Sequence, residues 1–294
     1  SSDVCSSDLT GSAVAHGFLN VPGIKVWILY PKGQVSRIQE QQLTTAGYNV
    51  TALEVEGTFD DCQALVKQAF NDQKLNNVTS ANSINVARLI PQSFYYFHAY
   101  AQLKKTEGQI VVSVPSGNFG NLTAGLLAKR MGLPISKFIA ATNINDSVPK
   151  YLQNGEFHPH PSYRTLSNAM DVGNPSNFAR ILDLYNHDLE KIRKDIEGDS
   201  FTDEQTKEGI KELQKKYGYI SDPHGAVAYL GLKHREDGTR IFLETAHPAK
   251  FLETVEPILG RKISIPESLQ VTLNKKKEAI LLPNSYEKLR ELIK

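Results

Sequence analysis

The chain is poor in cysteine, has no excess charge of either sign, and contains no long apolar run; each lack removes a class of function. Cys5 and Cys62 are its two cysteines, too few for a disulfide framework or a multi-thiolate metal site. Thirty-three Lys and Arg stand against 32 Asp and Glu, a formal charge of +1. Nothing global therefore draws the chain to nucleic acid or to an anionic membrane, and any anion site must be local. No stretch approaches the roughly 18 apolar residues of a membrane span, and the N-terminus has neither a basic flank nor an apolar signal core. These lacks predict a soluble, cytoplasmic protein without nucleic-acid or membrane partners. A Gly-x-Ser-x-Gly elbow is also missing, which leaves a hydrolase triad without support, and no internal repeat occurs.

What is present is ordinary globular material. Its 294 residues, 40% hydrophobic and 22% charged, suit one large domain or two smaller ones. Residues 1–9 stand apart: Ser-Ser-Asp occurs twice, no methionine opens the chain, and no apolar period suits a helix or strand. They read as a non-native leader, set aside from the fold.

From Thr10 helices and strands alternate. Val14 to Asn20 predicts a short helix and Lys25 to Tyr30 a strand. Ser36 stands at an N-cap position, Ile38 and Leu43 give an apolar face, and Gly47 stops that helix before an alternating run from Tyr48 to Val55. Phe59, Cys62, Leu65, Val66, Ala69 and Phe70 make one helical stripe. Strands at Gln109 to Val114 and Lys137 to Ala141 flank a helix from Leu122 to Met131. The order implies an α/β protein with open, mostly parallel sheets and helices on both faces. Further on, residues 154–177 read as a long ordered loop. Helices are expected at Phe178 to Ile196, Thr202 to Tyr217 (Thr202 and Gln205 spaced as a capping box), Asp222 to His234 and Ala249 to Leu259, with a strand at Thr239 to Glu244. Lys275-Lys276-Lys277 reads as a solvated face.

The richest chemistry lies in Val114-Pro115-Ser116-Gly117-Asn118-Phe119-Gly120-Asn121, between a strand and a helix start. Unpaired backbone N–H groups and the helix dipole favour an anion there, and two glycines allow close backbone approach. Ser116, Asn118 and Asn121 add side-chain donors, so the loop suits a phosphate; a tight βα turn with Asn121 as a plain N-cap suits the same spacing. The pattern is neither GxGxxG nor GxxxxGK[ST], which lowers dinucleotide and ATP readings. Arg88 offers a bidentate fork to a second phosphate beside Asn82, Ser83 and Asn85, a segment that also reads as a polar helix entrance. Thr245 stands at a strand's C-terminal end, where open α/β sheets place ligands, or is simply a buried packing residue. His158 and His160 lack partners at metal-binding spacing and read as a surface loop. His16, His224 and His247 read as packing, capping or supporting groups.

Ser116-Gly117-Asn118-Phe119-Gly120-Asn121 with Leu122-Thr123-Ala124-Gly125 resembles the phosphate-cradle loop of the threonine synthase family, pyridoxal-phosphate (PLP) enzymes of fold type II, the tryptophan synthase β-like fold. Three further segments are similar to that family's motifs: residues 80–88 to its substrate-phosphate segment, residues 166–177 to its active-site loop, and residues 245–250 to its strand-end motif beside the pyridine ring. The resemblance runs from Thr10 to the C-terminus. It implies PLP bound by Ser116, Gly117, Asn118, Phe119, Gly120, Asn121 and Thr245, the last as a neutral partner of the pyridine nitrogen. It implies substrate contacts from Thr10, Asn82, Ser83 and Arg88. The implied reaction turns O-phospho-L-homoserine and water into L-threonine and phosphate, with PLP as electron sink and a lysine moving protons. Two anion motifs suit a reaction with two phosphates.

One departure is large. The family's Schiff-base lysine lies in a Phe-Lys-Asp motif upstream of the segment beginning at Thr10, and no Phe-Lys-Asp occurs here. Where the family has Thr-Ser-Gly-Asp-Thr-Gly, this chain reads Ser6-Ser7-Asp8-Leu9-Thr10-Gly11, matching at Ser7, Thr10 and Gly11. The resemblance therefore implies an N-terminally truncated, inactive chain with no catalytic residue of its own, a smaller incomplete domain over 10–90 and a larger cofactor domain over 91–294, and exposed apolar surface. Oligomeric state is left open. Two other readings stay open: another PLP-dependent dehydratase or β-replacement enzyme of this fold, and a non-catalytic protein that binds phosphate ligands.

Overall fold

A computed structural model describes residues 2–6, 10–75, 77–82, 85–103, 108–235 and 238–293. It divides into two compact units, one made of residues 1–85 with 264–294, the other of Val86–Ile263. This differs from the division expected from sequence, because the chain from residue 264 onward returns to the first unit.

The first unit opens with β1 (Ser2–Ser6), α1 (Thr10–Gly17), β2 (Lys25–Pro31), α2 (Arg37–Thr44), β3 (Val50–Glu56), α3 (Phe59–Asn71) and the short β4 (Val78–Thr79). β1 falls inside the expected leader; it pairs in parallel with both β2 and β4, so backbone pairing overrides a weak side-chain pattern. α1 begins four residues earlier than the predicted Val14 and ends at Gly17. α2 starts at a full capping box, Ser36 Oγ accepting from Gln39 N–H while Gln39 Oε1 accepts from Ser36 N–H. α3 buries Cys62, Leu65, Val66 and Ala69 in one cluster with Leu29 of β2 and Leu53 and Val55 of β3, whereas Phe70, expected on the same stripe, is exposed.

The second unit comprises α4 (Leu89–Ala101), β5 (Ile110–Pro115), α5 (Gly120–Arg130), β6 (Lys137–Thr142), α6 (Ser147–Asn154), α7 (Phe178–Leu184), α8 (Leu189–Asp195), β7 (Ile196–Ser200), α9 (Asp203–Tyr217), α10 (Pro223–Leu230), β8 (Thr239–Phe242) and α11 (Leu252–Leu259). Its sheet is parallel throughout, in the order β7-β6-β5-β8. Alternate residues face opposite layers. Val112, Val114, Phe138 and Ala140 pack with Leu122, Leu126 and Phe178 on one side, while Val111 and Ile139 meet Leu232 and Ala141 meets Val227 on the other. Such double burial gives β5 and β6 their near-continuous apolar sequence.

The single helix expected from Phe178 to Ile196 is two, because Asn186 and His187 take left-handed backbone angles (φ 51° and 58°) and Asp188 caps a new start. The helix expected to reach His234 stops at Leu230, and the strand expected to reach Glu244 stops at Phe242. The chain then re-enters the first unit with α12 (Glu267–Leu273), β9 (Ile280–Pro283) and α13 (Tyr286–Ile293). β9 completes a parallel sheet ordered β4-β1-β2-β3-β9. Within the predicted solvated run, Lys277 Nζ reaches Glu40 and Glu54 at 2.6 and 2.9 Å.

Candidate active site

In the second unit's sheet the order of strands reverses at β5: its successors β6 and β7 lie to one side and β8 to the other. Open α/β sheets bind ligands outside the carboxyl end of such a strand. Ser116 to Asn121 leave β5 at that point. Thr245 leaves the neighbouring β8 at the same edge, since Ser113 pairs in register with Phe242 and Leu243 N–H bonds to Ser113 O. Thr245 is exposed, not a buried packing residue.

The loop is fastened largely by its own side chains. Ser116 N–H donates to Ala141 O and Ser116 Oγ to Val114 O, both at 2.8 Å. Asn118 Oδ1 accepts from Ser176 N–H (2.6 Å) and Oγ (2.9 Å), and Asn118 O accepts from Asn177 Nδ2 at 2.9 Å. Asn121 Oδ1 accepts from the hydroxyls of Tyr95 and Tyr96. Asn121 is thus inside the first turn of α5 and not its cap; the cap is Phe119, held left-handed at φ 61° and buried edge-on against Phe178. A non-glycine residue in that region is costly unless its surroundings dictate it.

The consequence is electrostatic. α5 has no side-chain cap bond, whereas α2, α3 and α9 each start with a capping box. Among the described residues, the N–H groups of Gly117, Phe119 and Gly120 find no acceptor, although all three residues are buried. Orphaned, buried donors at a helix N-terminus suit an anionic guest. Gly117 also has no room for a side chain, since an added Cβ would stand 2.7 Å from Ala169 O and from Met170 Cα. The 166–177 segment is therefore pressed against the cradle by backbone contact. It is tied down in turn by Asp171, which accepts from Thr165 Oγ1 (2.6 Å), Thr165 N–H (3.0 Å) and Asn143 Nδ2 (2.9 Å). Burial outweighs those bonds and pushes the Asp171 carboxyl up to about 6.

The other predicted residues are distributed. Arg88, half-buried in a short turn before α4, lies near Tyr95; burial pushes that phenol's pKa up and the Arg88 charge opposes the shift. Arg88, Tyr95 and Asn121 thus connect the second anion motif to the first turn of α5, a link that sequence reading misses because Tyr95 and Tyr96 look like ordinary helix residues. In the first unit Asn82 is buried just past β4; its N–H bonds to Ser80 Oγ and its carbonyl accepts from Asn85 N–H. Thr10 opens α1 beyond β1, the strand beside β4, so both residues follow carboxyl ends of adjacent strands. Ser83 lies outside the described residues. His158 is exposed and pairs with Glu156 at 3.0 Å.

The family model for pyridoxal-phosphate dependent enzymes matches residues 4–241, and that for the threonine synthase C-terminal region matches residues 225–293. The chain belongs to the threonine synthase family. It is 48% identical to the threonine synthase of Escherichia coli over 290 residues, 97% of this chain and 67% of that one. The crystal structure of that enzyme superposes with a TM-score of 0.94 at 46% identity, covering 99% of this chain and 69% of the other. PLP-bound threonine synthase from Brucella melitensis gives 0.89 at 33% identity, covering 99% and 70%. The threonine synthase fold is thus PLP fold type II, the family's members are PLP-dependent lyases, and PLP is its cofactor. The buried donors of the Gly117 loop fit the phosphate of that group. Among the described residues no helix is long and apolar enough to cross a membrane.

Proposed function

We propose that this chain binds PLP through the backbone N–H groups of Gly117, Phe119 and Gly120, with Ser116, Asn118 and Asn121 shaping the loop and Thr245 facing the pyridine nitrogen. The three orphaned, buried donors at the start of α5 carry this reading. Bound there, PLP supplies an electron sink for carbanions. As a neutral hydroxyl, Thr245 would hydrogen-bond that nitrogen without holding it protonated, unlike a carboxylate. Arg88 is assigned to the phosphate of O-phospho-L-homoserine, and the family resemblance gives Thr10, Asn82 and Ser83 contacts with the same substrate. The reaction served is the cytoplasmic conversion of that substrate and water to L-threonine and phosphate.

The 294 residues as written contain no Phe-Lys-Asp, and we expect them to hold the cofactor without completing turnover. The test adds PLP to the purified chain, reduces with borohydride and maps pyridoxyl-lysine by peptide mass spectrometry, alongside a threonine-release assay. PLP binding that inorganic phosphate competes away, with no single lysine labelled and no threonine formed, is the expected result. A uniquely labelled lysine or measurable turnover would show that an internal residue replaces the anchor. Binding indifferent to phosphate would remove the cradle.

A further inference from the structure

Behind the 166–177 segment lies a buried polar group that the cradle itself does not use. α10 begins at Asp222, whose Oδ1 accepts from His224 N–H at 2.8 Å and stands 2.5 Å from His224 Nδ1. Both side chains are buried, and the imidazole lies against the Phe251 ring at 5.0 Å. His224 Nε2 accepts from Ala169 N–H at 3.2 Å. These contacts fix the tautomer: Nε2 must be bare to accept, so the proton sits on Nδ1 and points at Asp222. Ala169 is the residue whose carbonyl, with Met170 Cα, lies against Gly117. One short path therefore runs from Asp222 through the imidazole and the Ala169 amide to the cradle.

We propose that His224 is a positioning residue for the cofactor's phosphate cradle: oriented by Asp222, it holds the Ala169 amide and so keeps residues 169–170 pressed on Gly117. The Gly117 and Phe119 N–H groups then stay at the spacing a phosphate needs without reorganising when it arrives. This rests on the assignment of the Gly117 loop to PLP phosphate. Nothing requires His224 to touch cofactor or substrate.

Two substitutions separate this role from simple packing. His224→Phe keeps a ring of similar size but offers no acceptor; His224→Gln can place an amide oxygen near the Nε2 position. In His224→Phe the Ala169 amide should lose its hydrogen-exchange protection while the amides of α5 and α10 keep theirs, and PLP affinity should fall about tenfold. His224→Gln should restore Ala169 protection and bring affinity back to within about threefold of the parent. Unchanged PLP affinity in His224→Phe overturns the proposal, and so does equal loss in both variants. If His224→Phe does not fold, nitrogen NMR of the unsubstituted chain at neutral pH decides: a proton on Nε2 overturns the proposal, and a bare Nε2 supports it. Should PLP binding prove indifferent to phosphate, the cradle assignment fails, while Ala169 exchange still reports whether His224 holds the segment.

Discussion

Glu244 shows how a single side chain acquires a property that its sequence neighbours do not announce. Its carboxyl lies against Asp222, accepts from Ser221 Oγ at 2.9 Å and from Asp222 N–H at 3.0 Å, and occupies space that a Cβ on Gly225 would fill at 1.9 Å. Burial first, then the hydrogen bond to and charge of Asp222, push it up to about 9 from an ordinary 4.5. A protonated Glu244 can donate to the Asp222 carboxylate, whose buried Oδ2 has no partner among the described residues. The folded chain thus keeps a proton that the unfolded chain has released, and linkage sets the sign. Stability from this group is fully present below about pH 4.5, falls as pH rises, and is gone above about pH 9. Glu244→Gln, neutral throughout and still able to donate to Asp222, should match the parent near pH 5 and melt above it near pH 9. Thermal melts of both chains across that range check this, and parallel curves would show that Glu244 is ionised throughout. Asp171, raised to about 6 mainly by burial, adds a loss of the same sign at lower pH, common to both chains.

Among the elements, α9 is the one whose start was written most openly in the sequence. Thr202 Oγ1 accepts from Gln205 N–H at 3.3 Å and Gln205 Oε1 from Thr202 N–H at 2.8 Å, the reciprocal pair that their spacing predicts. Gly218, left-handed at φ 66°, closes the helix. Thr202→Ala should cost about 1 kcal/mol of unfolding free energy, read by urea denaturation, without altering PLP binding. An unchanged midpoint would mean that packing of Thr206, Ile210 and Leu213, all buried, holds the helix alone. α5 is the counter-case. Its start has no capping side chain, and its stability rests on Leu122 and Leu126 packing into the core; an uncapped start is tolerated where the free donors serve a ligand.

For the whole molecule, the feature with most consequence in solution is α4. Ile90, Phe94 and Phe97 lie at i, i+4 and i+7 on that helix and are 57%, 61% and 36% exposed, with Val86 just before them at 58%. An apolar stripe of this kind favours association of copies. Sedimentation should show concentration-dependent self-association that Phe94→Glu reduces. A monodisperse monomer at every concentration would show that the stripe is too small to drive contact.

By itself, the sequence determined the alternation of strands and helices, the N-cap at Ser36, the capping box at Thr202, and the family to which the motifs at 80–88, 116–125, 166–177 and 245–250 belong. These are local signals, carried by residues within a turn or two of one another. It did not disclose β1, where pairing with β2 and β4 supplies what alternation lacks, or the break at Asn186 and His187, where two left-handed residues interrupt an apparently continuous helical pattern. Nor could it attach residues 264–294 to the first unit, since β9 is placed by pairing with β3, more than two hundred residues earlier. At the site, Ser116 to Asn121 were legible because glycine and asparagine after a β-rich strand have a chemical meaning on their own. Tyr95, Tyr96, Asp171 and Glu244 were not, because each matters through a partner that only the tertiary fold brings within hydrogen-bonding distance.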